Sequence, residues 1–565
     1  MSGSRPAHPV TVETGGHPHA AIAPAAAANP RNAIWEAYET ARDRTPQLYT
    51  WQEGRYQPHT WDEWRRAAER SALGLQRLGI RPGAQVAAVL TNTFEVTAAV
   101  LGAWLAGAAL LSLPTLRRGQ DAEDYVAQLR RLCRRTGAEL LLLEERFLEL
   151  VGAEDLGAPT CGFAALPAEG PLIAAPVGDE EIAFVQYSSG SVSDPKGCML
   201  TLSAISAQER MLQERLRITR RDRCAMWLPL SHDMGLFGCL LMSWTTGIPL
   251  ALGTPERFLR KPQTWMEDLA AFDATIGVAP NFALALATRR AGGRPCPRMI
   301  LKTLVLGGER IEWSTLREAQ AVLGLDFNAM TPAYGLAEAT LSVTMKQPGT
   351  APTARGADRD ALRAGTLIER GLEEPGTLAM VSCGVPMDGV AVNIAGDGEI
   401  GRICVRSPAL TAGYLGDAEQ TARSVSDGVL ITEDLGYLLA GELYVLGRAD
   451  DVLIVGGRNV HTRDIELAAN ACKGVRSGCT TLVDLPGGAQ PRLVMVCEPS
   501  TAGGLTRLAD ALASTTFAAA GVRIDECVFL RPGVLPKTPS GKIQRFRCRA
   551  LLEDRGEAIL ERVAL

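Results

Sequence analysis

At 565 residues the chain exceeds what one core usually holds, since single cores stop growing beyond about 250–300 residues. A hydrophobic content of 46% with 21% charged residues fits a globular protein and excludes a disordered or fibrous one. A net charge of −5 over this length argues against a nucleic-acid binder.

The 13 cysteines form no C-x-x-C pair and no Cys/His cluster at zinc spacing, so a reducing cytoplasm is expected, with Cys133 and Cys497 as core thiols. The start, M-S-G-S-R-P-A-H-P-V, has no apolar segment of the kind a secretory signal needs, and no leader is expected. Residues 1–30 are rich in Ala, Pro, Gly and His, lack periodicity, and read as a disordered tail holding His8, His17 and His19.

From Asn32 a helical pattern begins. The run L-Y-T-W-Q-E-G-R-Y-Q-P-H reads as a hairpin turning at Glu53-Gly54, and 61–78 carries apolar residues at helical spacing up to Gly79. Residues 85–90 form a short apolar strand. The most apolar window, 97–114, just reaches the ~18 residues that raise a transmembrane question. Its small residues and its L-L-S-L-P end favour a buried helix followed by a strand, with no membrane span. Strands alternating with helices point to an α/β domain with parallel sheets.

The apolar strand 182–185 breaks into Y-S-S-G-S-V-S-D-P-K-G. Such a Gly/Ser loop can converge backbone amides and hydroxyls on a phosphate, with Lys196 adding a point charge. The pattern is not G-x-x-x-x-G-K-[ST], and a surface turn is the competing reading.

A helix is expected over 203–216, then a strand over 225–230 that turns through S-H-D-M-G into another helix. This sets His232 just past a strand end, where open α/β sheets hold ligands. The strand 301–306 closes on Gly307-Gly308-Glu309, which allows close approach of a flat ligand. In A-Y-G-L-A-E-A-T, Tyr334-Gly335 marks a break and Glu338 is expected to open a helix. Its carboxylate could hold Mg²⁺ against a triphosphate or simply favour a helix N-terminus.

Residues 351–374 read as a polar loop with a short strand at 365–368, and 378–414 as a small β subdomain. Asp434 falls in a strand–turn context, and Arg448 and Asp450 follow a second strand. Beyond Asp450 the pattern changes to short strands (451–455, 479–483, 492–497, 526–530) with helices between, a separate α+β domain. Near its end, Lys542 lies in the loop P-S-G-K.

Taken together, Y-S-S-G-S-V-S-D-P-K-G, A-Y-G-L-A-E-A-T, T-E-D-L-G, G-R-A-D-D and P-S-G-K, in this order from about Trp35 onward, resemble the signatures of the adenylate-forming (ANL) superfamily. L-P-L-S-H-D-M-G-L-F-G, the long form Y-G-L-A-E-A-T-L and V-S-C-G-V-P are similar to its fatty acyl-AMP ligases. The resemblance implies a large N-terminal AMP-binding domain of α/β sheets plus a β subdomain (31–449) and a smaller mobile α+β C-terminal domain (450–565).

It further implies ATP and Mg²⁺ as cofactors, a fatty acid as substrate, and an acyl carrier protein or a polyketide or nonribosomal peptide synthase carrier domain as acceptor. Ser188, Ser189, Gly190, Ser191 and Lys196 would cradle the phosphates. Gly308 and Glu309 would flank the adenine, with Tyr334 stacking on it and Gly335 also at the ATP site, and Asp434 with Arg448 would bind the ribose. Glu338 would hold Mg²⁺, His232 would line the carboxylate site, Lys542 would be the adenylation lysine and Asp450 the hinge.

Two departures stand out: Val192-Ser193 replaces the family's usual Thr-Gly, and Glu433 replaces a Gly, adding negative charge beside the nucleotide. The competing readings are an acyl- or aryl-CoA ligase of the same fold, and a non-catalytic nucleotide-binding or carrier-docking protein.

Overall fold

The computed structural model describes residues 32–40, 45–116, 121–167, 170–187, 196–292, 296–363, 365–396, 398–449, 452–455, 458–485, 492–537, 543–553 and 558–565. The N-terminal tail, the loop residues Ser188, Ser189, Gly190, Ser191, Val192 and Ser193, Asp450 and Lys542 lie outside the described residues.

The first elements follow their local chemistry. Leu48–Gln52 and Arg55–His59 pair antiparallel, and the turn between them is made by Glu53 and Gly54 at φ +49° and +81°. Two consecutive left-handed residues match the twist of a two-residue hairpin. The helix Trp61–Arg77 begins with a capping box: the Thr60 hydroxyl accepts from Glu63 N–H and the Glu63 carboxylate accepts from Thr60 N–H.

That helix packs on Phe94–Leu105. Trp64 is fully buried between them and its indole N–H donates to Thr97 Oγ1 at 3.0 Å. Gly102 permits the approach, because a Cβ there would sit 2.6 Å from Ser71 Cβ. The apolar 97–114 window is therefore split between a buried helix and the strand Ala109–Leu113. Among the described residues no helix is long and apolar enough to cross a membrane.

Two large sheets position the site. Among the described residues one is nine-stranded, with Thr303–Leu306, Ile276–Ala279, Cys224–Met226 and Leu250–Leu252 running parallel in its centre. The other is seven-stranded and mostly parallel, with Gln85–Val89, Ala109–Leu113 and Ile182–Tyr187 at its heart. Their central strands are buried on both faces, as a parallel sheet covered by helices requires. Ile182–Tyr187 returns antiparallel as Gly197–Thr201, and the Tyr187–Gly197 pair closes the loop between them.

Three expectations are corrected. Glu338 does not open a helix: Ala337–Ala339 is one 3₁₀ turn, followed by the strand Ser342–Met345, which doubles back antiparallel on Met330–Gly335. The Leu336 N–H donates to Leu341 O at 2.9 Å, a hairpin contact that a continuing helix cannot make. Residues 351–374 are not a loop, since Ala354–Asp358, Glu369–Arg370 and Thr377–Val381 form a three-stranded sheet. The short strand expected at 365–368 instead lies at Glu369–Arg370, where pairing with Gly356 and Ala357 sets the register. The strand expected over 225–230 is only Cys224–Met226.

Among the described residues a five-stranded sheet follows, in which Val429–Leu439 and Glu442–Arg448 form a hairpin. Among its described residues the C-terminal part carries its own four-stranded sheet, Val475–Leu485, Arg492–Pro499, Glu526–Leu530 and Ile559–Ala564, with the helix Leu505–Ala520 against it. Cys133 and Cys497 are fully buried, and burial pushes their thiols up to about 11 and about 12.

Candidate active site

A cavity of about 900 Å³ opens at the C-terminal ends of the central strands of the nine-stranded sheet. There the backbone amides are freed and helices begin, so ligands of α/β sheets collect there. The cavity wall brings together Lys196, His232, Gly308, Glu309, Tyr334, Gly335, Glu338, Asp434 and Arg448, residues scattered over more than 250 positions of chain (448 − 196 = 252). Ile543 and Arg545 from the C-terminal part also line it. Ile543 bridges antiparallel to Lys537.

One side of the cavity is polar and tied together. The Tyr334 phenol donates to Asp434 Oδ2 at 2.8 Å, and Asp434 N–H donates to Thr432 Oγ1 at 3.1 Å. Burial, reinforced by the Asp434 charge, pushes the Tyr334 phenol well above its ordinary range, so it stays a donor. Asp434 sits opposite Arg448 across the Val429–Leu439/Glu442–Arg448 hairpin.

Glu338 Oε1 accepts from the Tyr414 hydroxyl at 2.9 Å, and the Tyr414 ring lies 5.5 Å from Lys196 Nζ. Tyr414 escaped the sequence reading, which had no signal for it. It is placed by Gly413–Tyr414 pairing with Met199 and Cys198, the strand that returns from the phosphate-loop candidate. Burial raises the Glu338 carboxyl above the usual range, against the lowering effect of the Tyr414 hydrogen bond.

The turn that carries Glu338 is held under constraint. Thr340 has φ +62°, unusual for a β-branched residue, and its hydroxyl is pinned to Ala409 O at 2.7 Å. Thr411 N–H donates to Glu338 O at 2.7 Å. Gly335 is sterically required, since a Cβ there would lie 1.7 Å from Leu341 O.

The structure lends other residues to scaffolding. Glu309 Oε1 accepts from Phe282 N–H at 2.6 Å, so this carboxylate serves the start of the helix Asn281–Ala291 as well as the cavity wall. The His232 ring contacts the Asp233 carboxylate, which also accepts from Met234 N–H at 2.7 Å. Beside it Gln186, which lines the cavity, donates from Nε2 to Ser231 O at 2.8 Å, while its buried Oε1 has no hydrogen-bond partner. Glu433 is met by Arg402 at 3.3 Å, so the extra charge seen in the sequence is compensated.

Among the described residues no group of three or more His, Cys, Asp or Glu gathers as a metal site. Glu338 nevertheless suits Mg²⁺, which takes one or two carboxylates and completes its shell with waters and substrate phosphates. The carboxyl is raised chiefly by burial, and Lys196, beside the Tyr414 ring that Glu338 holds, offers a place for the phosphates.

The opposite arm is apolar. Leu212, Leu216, Gly238, Phe282, Leu341 and Met345 line it. A polar, charge-bearing head continuous with an apolar arm suits an amphipathic ligand.

A family model described as AMP-binding enzyme matches residues 35–415. A Mycobacterium tuberculosis protein provisionally named ligase Rv1013 is 30% identical over 532 residues, covering 90% of this chain and 97% of its own. The long-chain-fatty-acid–AMP ligase FadD32 of Mycolicibacterium smegmatis is 30% identical over 434 residues, 66% of this chain and 69% of its own. A solved structure from work on fatty acyl-adenylate ligases of E. coli and L. pneumophila superposes with a TM-score of 0.83 at 26% identity, covering 93% of this chain and 99% of that one. With a family model matched over well more than half its length, the chain belongs to the AMP-binding enzymes.

Proposed function

We propose that this protein is a fatty acyl-AMP ligase: it joins a fatty acid to ATP as an acyl-adenylate, releasing pyrophosphate, and passes the acyl group to the phosphopantetheine thiol of a carrier protein. The observation that carries this reading is the single cavity in which the Tyr334–Asp434 and Glu338–Tyr414 pairs face an arm lined by Leu212, Leu216 and Met345. The relatives named for fatty-acid–AMP ligation support it, as does the medium-chain-fatty-acid–[acyl-carrier-protein] ligase JamA of Moorena producens, 30% identical over 404 residues, 66% of this chain and 68% of its own.

The chemistry asks little proton transfer of the chain. A fatty carboxyl, with a pKa of about 4–5 like side-chain carboxyls, is already ionised at neutral pH. Its oxygen attacks the α-phosphorus of ATP, the bond to the pyrophosphate oxygen breaks, and a mixed anhydride forms. Such a step needs positioning and charge stabilisation. Lys196 and the loop 188–195 bind the phosphates, Asp434 with Arg448 the ribose, Tyr334 and Gly308 the adenine, and His232 lies at the carboxylate. Glu338 holds Mg²⁺, which when bound neutralises phosphate charge.

Lys542 stabilises the charge that develops on the reacting phosphate. In the second half-reaction the thiol sulfur attacks the acyl carbon and AMP leaves. The two halves need different neighbours, so residues 450–565 act as a mobile domain turning at Asp450. ATP and a carrier thiol are supplied in the cytoplasm, where we place the reaction.

The test is product analysis with ATP, Mg²⁺ and a set of fatty acids, with and without coenzyme A and a phosphopantetheinylated carrier protein. Acyl-AMP that persists beside coenzyme A yet acylates the carrier is the expected result. Ready formation of acyl-CoA would overturn the acceptor assignment. No pyrophosphate release with any acid would overturn the reading as a whole.

A further inference from the structure

The cavity crosses the nine-stranded sheet from its centre toward its edge. Val278, Val305, Ala333 and Met345, from four successive strands, all line it. Val278 pairs with Val305, and Ala333 with Met345. Val305 also pairs with Thr331, two residues before Ala333, so the four side chains stand on one face of the sheet. Three steps between strands, about 4.8 Å each, carry this row about 14 Å from Val278 to Met345.

One strand further out, Val385 pairs with Met345. Its strand, Val385–Pro386, is the last of the sheet among the described residues, and Val385 is 39% exposed. The row that floors the apolar arm therefore continues straight to the surface, and something has to close it.

The end of the helix Leu202–Arg215 covers this stretch, with Leu212, and Leu216 just past the helix, lining the cavity. At about 100° per residue, Arg215 projects about 60° to one side of Leu212. Its guanidinium reaches the edge strands: Nη1 donates to Met345 O at 2.8 Å and to Val385 O at 3.3 Å, and Nη2 donates to Pro386 O at 2.6 Å. The side chain is 7% exposed, whereas the Asp388 carboxylate that it meets at 3.6 Å is 68% exposed. The planar fork of an arginine can serve several carbonyls at once, which leaves no backbone acceptor unpaired in an apolar wall.

We propose that Arg215 is the stop of the acyl arm: by holding the end of its helix against Met345 and the edge strand Val385–Pro386, it sets the longest acyl chain that the protein activates. This rests on the acyl-AMP ligase reading above, and the substrate class becomes an unbranched acid of bounded length. Arg215 is a positioning residue that acts through Leu212, Leu216 and Met345. An acid that ends at Met345 fills the arm. A longer one has to push the guanidinium off its carbonyls, and leave them unpaired, before its end can emerge beside Val385.

The test uses the full-length protein with ATP, Mg²⁺ and saturated acids of successive length. The readout is kcat/KM for pyrophosphate release with each acid, divided by the value for the best acid of the unaltered protein, so that a variant's loss of total activity cancels. The unaltered protein should show a limit past which this ratio falls by about tenfold or more over a few added methylenes. Arg215→Ala should raise the ratio about tenfold for acids just beyond that limit. Arg215→Met, which keeps the packing of the stem and loses the carbonyl bonds, should do the same. Arg215→Lys, whose ammonium can still donate, should fall between.

If Arg215→Ala fails to fold, Arg215→Met carries the comparison. Activity indifferent to chain length in the unaltered protein, or variants that lower every acid alike and leave the limit in place, overturns the inference while leaving acyl-adenylate formation intact; Arg215 would then serve only to hold the strands together. Absence of pyrophosphate release with every acid overturns both.

Discussion

The Tyr334 hydroxyl donates to the Asp434 carboxylate at 2.8 Å, joining two signature stretches that lie 100 residues apart. The bond orients a carboxylate that lines the cavity. A hydrogen bond to a charged group is worth about 1.5–3 kcal/mol, or about 10–100-fold in binding. Tyr334→Phe keeps the ring and loses the donor, so KM for ATP should rise by about tenfold. Asp434→Ala should cost more, and the double variant no more than Asp434→Ala alone. Additive losses in that cycle would mean that Tyr334 does not act through Asp434.

Glu338 couples the site to pH. Its carboxyl is raised by burial, with Asp434 adding to the rise, and the Tyr414 hydrogen bond and Arg448 work against it. The ionised form is the one that takes a cation. Adenylation should therefore fade on acidification at a higher pH than the ~4.3 of an ordinary glutamate. Added Mg²⁺ should move that midpoint down, since cation and proton compete. Tyr414→Phe removes a bond to the ionised form and should move it up. Calorimetric Mg²⁺ binding in the presence of ATP should follow the same pH course, and indifference to both changes would reject the assignment.

Arg402 meets Glu433 at 3.3 Å in a partly exposed pair, so its effect should be small. Exposed pairs contribute about 0.2–1 kcal/mol, and Arg402→Ala should raise KM for ATP by no more than about fivefold. Adding Glu433→Gly should restore the original value. High salt should shrink the difference.

Glu209 predicts a stability slope. Its folded-state pKa is raised by burial, so between about 4.3 and the raised value the unfolded chain has lost its proton while the folded protein keeps it. Stability then falls as pH rises, by about 1.4 kcal/mol per pH unit from this group. Glu209→Gln should remove that slope: thermal midpoints of variant and parent should converge at low pH and separate in the variant's favour as pH rises. Parallel curves would show that Glu209 is not held protonated.

Lys542→Ala should slow adenylation by about 10²–10³-fold, the scale of losing one aimed electrostatic group. Thioester formation from preformed acyl-AMP should suffer far less. Equal loss in both half-reactions would remove the role assigned to this lysine.

Much was legible before any coordinates. The Glu53-Gly54 hairpin, the capped helix Trp61–Arg77 and the strand Glu526–Leu530 follow from turn residues, caps and apolar runs that act within a few positions. The order of the glycine-rich and acidic signatures was enough to point to the superfamily. The 3₁₀ turn at Ala337–Ala339 was not legible, since the 3.6-residue pattern around Glu338 is overridden by the return of Ser342–Met345 along its neighbour strand. The strands of 354–381 were hidden for a similar reason, their polar faces being paired with one another.

What the sequence by itself determined is local: which segments extend, which coil, and which side chains of suitable chemistry end them. Only the tertiary structure decided who meets whom. Tyr414 reaches Glu338, Arg402 neutralises Glu433, and Gln208 accepts from the Ser342 N–H 134 residues on. These are contacts between residues brought together by sheet order and chain crossover. No periodicity records them, because their geometry is set by the packing of whole elements and not by spacing along the chain.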